Sequence, residues 1–409
     1  MKKALVVLLA MTCLAAAAFA ADTPSVAING FVDTGAAALL PGDASSNPVV
    51  KQNQIQQYNN DSGNAGRFRL GIAITAPDGT FGFISRMEGD SGLVGNAGNN
   101  SSAGAWSMGF NRFLGWANVL NNMLTLKAGI LDESLFWTAN RNWGGWLDGA
   151  FGIEVMVKPM PGLAISYYLP AAPIGQVGGV LPWGPVSYTG NGSLQDTLSG
   201  SSIQAAYSMA NTVNIVAGFQ GAHANALAGS PVQDQTGYIW AGVDVTAIPN
   251  VTARIEAQMK NLGNTAVSLN NAGGENDIFL EGAYVMGPAK FDVAIWVYLY
   301  AVSNSDMGWD VEPNVSYDLG VAKVGIVGDI GNIGGIYSGP LNSVAVYDVR
   351  AGEGVQNTKL NADIGPYIGV PIGAGTSVNA GLLYTIGSLS GTTGTSNGAA
   401  IYVDFRWSF

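Results

Sequence analysis

From about residue 25 onward the sequence alternates apolar and polar or small residues, and this period of two restricts the fold more than any motif does. In Arg67-Phe68-Arg69-Leu70-Gly71-Ile72-Ala73-Ile74-Thr75, the even-numbered residues put Phe, Leu and two Ile on one face. Arg67, Arg69, Gly71, Ala73 and Thr75 fall on the other. The same pattern sets Phe291, Val293, Ile295, Val297 and Leu299 against Asp292, Ala294, Trp296, Tyr298 and Tyr300, and it returns in 124–130, 153–158 and 251–260. A soluble sandwich would need its outward faces wet and rich in Lys and Glu. Here 48% of the residues are hydrophobic and only 11% charged. After the N-terminal segment no run of about 18 apolar residues offers a spanning helix. The alternation therefore predicts strands with hydrocarbon on one side and water on the other.

The first residues set the compartment. Lys2 and Lys3 precede the apolar run Ala4 to Leu9, and Ala18-Phe19-Ala20 ends the segment, the order of a secretory signal. We read 1–20 as removed and 21–409 as a transmembrane β-barrel with long extracellular loops. The single cysteine, Cys13, lies in the signal, so the mature chain carries no disulfide. Seventeen Lys and Arg against 28 Asp and Glu give a net charge of −11. That balance excludes a general nucleic-acid binder.

Connections alternate as well. Short turns stand at 76–79, 158–162, 210–212, 247–250, 286–289 and 370–373. Long segments rich in Gly, Asn and Ser run over 36–65, 89–104, 132–148, 170–201, 221–236 and 261–276. Short turns on one rim and long loops on the other describe an outer-membrane barrel, and no repeat of about 20 to 50 residues points to a solenoid. The expected fold is all-β, a transmembrane antiparallel up-and-down β-barrel of 16–18 strands. Eighteen candidate strands can be placed, with 341–350 assigned to a loop. A barrel of that size encloses water rather than packed side chains, which implies passage of small hydrophilic solutes and ions.

The last strand reads Ile401-Tyr402-Val403-Asp404-Phe405-Arg406-Trp407-Ser408-Phe409. With Phe405, Trp407 and Phe409 in phase, it resembles the C-terminal signature of Gram-negative outer-membrane porins. The resemblance implies recognition by the barrel-assembly machinery, an outer-membrane lipid setting and a homotrimer. It also implies a third long loop folded into the lumen against a basic wall. The loop is 132–148, with Asp132, Glu133, Arg141 and Asp148, although the family's Pro-Glu-Phe-Gly-Gly sequence is absent. The wall is Arg67, Arg69, Arg86 and Lys127. Charges opposed across an opening orient dipolar solutes.

Trp137, Trp143 and Trp146 in the same loop suit either stacking on sugars or packing in an interfacial girdle. A saccharide-selective channel and an adhesive surface barrel are the alternatives to passive diffusion. Acids dominate the later strands (Asp292, Asp310, Glu312, Asp318, Asp363 and Asp404 among them), which predicts a weak cation preference. Arg112 shares the lipid-side phase of Phe110, which requires a bulge or a side chain reaching for the rim.

No enzyme chemistry is indicated. The one histidine, His223, sits in a loop-like stretch without a serine at useful spacing, and one histidine with no mature cysteine argues against a zinc site. No cofactor or metal is expected.

Overall fold

The computed structural model describes residues 23–41, 54–58, 66–90, 107–131, 150–170, 180–181, 184–185, 201–220, 238–259, 276–298, 308–333, 356–386 and 398–409. Eighteen strands form the wall. In chain order β1 to β6 are Ser25–Pro41, Gly66–Thr75, Phe81–Asp90, Ser107–Val119, Leu124–Leu131 and Ala150–Met160. Strands β7 to β12 are Leu163–Pro170, Ser202–Met209, Val213–Gln220, Tyr238–Val245, Val251–Met259 and Asn276–Met286. Strands β13 to β18 are Ala289–Tyr298, Gly308–Asp318, Lys323–Ile333, Gln356–Gly373, Thr376–Ile386 and Gly398–Ser408. Each pairs antiparallel with the next, and β18 returns to β1 from Phe31↔Ser408 to Pro41↔Gly398. The ring is closed, so each of the eighteen strands has a neighbour on both sides. Among the described residues no helix is long and apolar enough to cross a membrane.

These are the eighteen segments that the alternation marks, at the upper end of the expected 16–18. β1 runs past its expected end at residue 35, because Gln54–Tyr58 pairs with Gly35–Leu39 and prolongs the wall there. The turn expected at 370–373 shifts: β16 continues through Gly373 past an irregularity at Pro371, and the reversal falls on Ala374-Gly375, where Gly375 has φ +70°. Residues 1–20, 341–350 and most of the long connections lie outside the described residues.

All the short turns lie on one rim. Their tight reversals need left-handed residues, supplied by Gly79 and Gly287 and by Asn121, Asn211 and Asn250. In the Ala76–Thr80 turn the Gly79 N–H donates to the Ala76 carbonyl at 2.9 Å. The Asp78 carboxylate accepts from the Thr80 N–H (3.0 Å) and hydroxyl (2.7 Å), which holds its pKa below the ordinary 3.8.

Cross-strand register separates the two faces. Val26, Ile28, Ile153, Ile165, Ile203, Ile255 and Ile326 point outward and are exposed, while Asp33, Glu154, Gln204, Glu256 and Asp310 point inward and are buried. Exposed Tyr284, Phe291, Tyr317, Trp407 and Phe409 lie on the outer face toward the turn rim, where aromatic rings suit a lipid–water boundary.

On the inner face, glycines recur directly opposite large rings: Gly82 faces Trp116, Gly218 faces Trp240, Gly325 faces Tyr367 and Gly381 faces Tyr402. A Cβ at any of the four would come within 2.1–2.6 Å of its ring. Each ring thus occupies the space beside a neighbouring backbone that has no side chain, filling a gap that would otherwise weaken the strand.

Two ladders of the wall are interrupted at proline. Between β14 and β15, pairing runs at Val311↔Ile330 and resumes at Asn314↔Val327, leaving Glu312 and Pro313 across from Asp329 and Gly328. Between β16 and β17 it skips Gly365 and Pro366. Proline has no N–H to donate, so the ladder lapses without a change of register.

Candidate channel lumen

Sequence alone places four basic residues on one wall, and the structure separates their roles. Arg69, Arg86 and Lys127 share the inner face of β2, β3 and β5 and are part-exposed. Arg67 occupies β2 opposite Asp33 and Asp90 in register. The Arg69 guanidinium lies over the Phe31 ring, 5.1 Å from its centroid, on the β1 side. Lys127 turns the other way: its ammonium is 3.0 Å from Glu154 on β6, whose other oxygen accepts from the Ser166 hydroxyl at 2.8 Å.

Arg112 belongs to this wall too, which corrects its lipid-side placement. An irregularity between β3 and β4 sets Arg86 opposite Arg112 but Met87 opposite Phe110, so Asn111 is the extra residue. The bulge turns Arg112 to the inner face without disturbing the Phe110 register, and the conflict of phase in the sequence was its signal.

The acidic side of the opening was expected from 132–148. Asp132, Glu133, Arg141 and Asp148, with Trp137, Trp143 and Trp146, lie outside the described residues, as does His223. The wall itself carries an acidic sector. In a closed ring of eighteen, the strand nine positions on is diametrically opposed, so β2–β5 face β11–β14. Those strands present Glu256, Glu281, Asp292, Asp310 and Glu312 inward. Asp310, Glu312 and Asp329 bring carboxylate oxygens within 4.8 Å of one another, beside the Pro313 gap. Alternation marks these residues as inward; that they oppose the basic sector follows only once the ring closes at eighteen.

Other interior charges are tied into the wall. Arg254 donates to Asp244 on β10 and, at 2.8 Å, to Glu281 on β12, linking three strands. The Tyr367 hydroxyl donates to the Asn314 side-chain oxygen at 3.1 Å, and the Asn314 amide donates to Asp292 at 3.1 Å, spanning β16 to β13. Lys290 stands 3.4 Å from the same Asp292.

The seam between β18 and β1 has its own polar and aromatic contacts. Arg406 reaches Asp33 at 3.4 Å and stacks over Phe31 at 4.2 Å. Gly30 and Phe409 exchange both backbone hydrogen bonds at 3.0 Å, and the Phe409 ring covers Gly30. Phe405, Trp407 and Phe409 all lie exposed on the outer face of this seam, Trp407 and Phe409 with ring centroids 5.1 Å apart.

An antiparallel ring of eighteen strands, apolar outside and charged within, defines a porin-like β-barrel. No family model and no curated protein matches the chain. Among solved structures it is similar to a triple mutant of Rhodopseudomonas blastica porin, with 14% identity and a TM-score of 0.47, over 94% of this chain and 100% of that one. It is also similar to OpdQ of Pseudomonas aeruginosa, with 10% identity and a TM-score of 0.48, over 94% of this chain and 98% of that one.

Proposed function

We propose that the chain is an outer-membrane porin, a water-filled channel through which small hydrophilic solutes and ions diffuse passively. Closure at eighteen strands carries the reading. Barrels of about eight strands fill their interior with side chains, whereas 16 to 18 enclose more room than wall side chains occupy. A wall charged on its inner face and apolar on its outer one suits water inside and hydrocarbon outside. Basic β2–β5 opposed to acidic β11–β14 would set up a transverse field that aligns dipolar solutes in transit. The reading includes export through the 1–20 signal, insertion by the barrel-assembly machinery and assembly as a homotrimer. It includes no enzymatic step.

Planar-bilayer recording tests it. Purified, refolded protein is expected to insert in discrete conductance steps that scale with salt concentration. A folded barrel that adds no conductance would overturn the channel function and leave a structural or adhesive role.

A further inference from the structure

We propose that the turn rim is a lipid-binding surface, its exposed apolar side chains inserted among the headgroups of one leaflet instead of standing in water. The proposal rests on the membrane setting of the proposed channel, not on its conductance, and names what the rim touches.

Turns ordinarily collect Gly, Pro, Asn, Asp and Ser and run through water. Six of the short turns here also expose a large aliphatic or thioether side chain: Leu120, Met160, Met209, Ile248, Met286 and Val321. Leu120 at 70% and Val321 at 76% are more exposed than Ile28, at 60%, on the outer face of β1. Single apolar residues on a surface need no explanation, but a series of them along one border marks contact with something other than water.

The rim sorts its residues by face, and this selects lipid over a partner docked end-on. Met209 and Met286 keep the outward phase of Ile203 and Tyr284. Asp318 and Lys323 stand opposite each other in the inner phase of Ser316 and Gly325, and Lys290 turns inward to Asp292. A partner capping the rim would meet both faces alike. Apolar residues that keep the outward phase instead continue the wall that faces hydrocarbon. Lys158, exposed beside Met160, is a base of the kind that reaches for lipid phosphate.

Depth points to the same occupant. Outer-face rings mark two levels: Trp407, opposite Thr376, toward the turns, and Tyr384, near the other end of β17. The eight positions from Thr376 to Tyr384 cover about 27 Å of strand, or about 21 Å of height at a tilt of about 40°. Barrels of this kind present an apolar band of about 25 Å. The missing depth is found at the turns. Met286 and Leu319 lie one outward position beyond Tyr284 and Tyr317, which adds about 5 Å. A headgroup layer is about 5–7 Å thick, so the turn tips end within it.

Cys13 is the only cysteine. In a Cys13→Ser background, Leu120→Cys, Val321→Cys and the outer-wall variant Ile255→Cys can each carry one polarity-sensitive fluorophore. The proteins are inserted into phosphatidylcholine vesicles, and heat-modifiable migration identifies the folded ones. Labels at 120 and 321 are expected to be quenched by phosphatidylcholine spin-labelled close to its headgroup and shielded from iodide in the water. Quenching by iodide without quenching by lipid overturns the insertion. Shielding from both also overturns it, in favour of end-to-end contact between copies.

A label-free measurement guards against a fluorophore that inserts by itself. The Leu120→Asn, Val321→Asn double variant should unfold from vesicles at lower urea than the parent, and an unchanged midpoint overturns the proposal. Asn suits the left-handed backbone at residue 120 (φ 52°), so a loss there reports the apolar side chain. Lipid quenching at 255 but not at 120 or 321 sinks the rim contact and keeps the membrane barrel. Lipid quenching at 120 and 321 in a barrel that passes no current sinks the channel and keeps the rim contact.

Discussion

Lys127 and Glu154 set the terms for a charge held inside this wall. Glu154 is 0% exposed and its ammonium partner 12%, so the carboxylate relies on Lys127 and the Ser166 hydroxyl for the hydration it gives up. Removing one member of such a pair costs more than the pair contributes, because the survivor stays buried. Lys127→Met is expected to destabilise the folded barrel by about 3 kcal/mol. Adding Glu154→Gln should recover most of that loss; urea titration followed by tryptophan fluorescence measures both. At the turn rim the effect is milder and runs through pH. The folded pKa of Asp78 is depressed, so its stabilisation is present above the ordinary 3.8 and fades as pH falls through the lower folded value. Thr80→Ala removes the hydroxyl donor and leaves the larger backbone contribution, so the Asp78 carboxyl resonance should titrate closer to 3.8 in that variant without reaching it.

Strands meet through backbone ladders, and across those ladders large rings fill the space beside facing glycines. Gly218→Val would drive a side chain into the Trp240 ring, which already sits 2.1 Å from where a Cβ would be. Loss of about 1–3 kcal/mol is expected from overpacking, together with a change in tryptophan emission as the ring is displaced. Gly79→Val, at a turn where a Cβ has open space, tests backbone conformation alone: φ +70° penalises any β-branched residue.

The strands themselves were legible because alternation is a local property, and the strand positions read from it agree with those observed. The glycine partners were not, since Gly218 and Trp240 are matched only by register. Arg112 lay between these cases. Its phase conflict with Phe110 was visible in the sequence, but the side to which the bulge would send it depends on the pairing of β3 with β4. Alternation marks the acids of the later strands as inward, whereas their diametric opposition to the basic strands belongs to the closed ring.

At the scale of the molecule, interior acids outnumber interior bases along the described residues of β10–β18, so KCl gradients should give a reversal potential of weak cation preference. A clear anion preference would contradict it. The same scale governs the seam. Deleting Phe409 removes both backbone bonds to Gly30 and the ring above it, and the expected result is a lower temperature for the heat-modifiable gel shift with conductance per channel preserved.

Asp33 and Arg406 stand 373 positions apart in the chain and touch only when the cylinder is complete. Until β18 pairs with β1, the sheet would have two open borders, each carrying a row of unpaired amides that hydrocarbon does not solvate. Slow, long-range closure of this kind leaves the borders open to pairing with another molecule. A barrel of this kind that enters a bilayer therefore has to keep those borders away from hydrocarbon until its eighteenth strand pairs with its first.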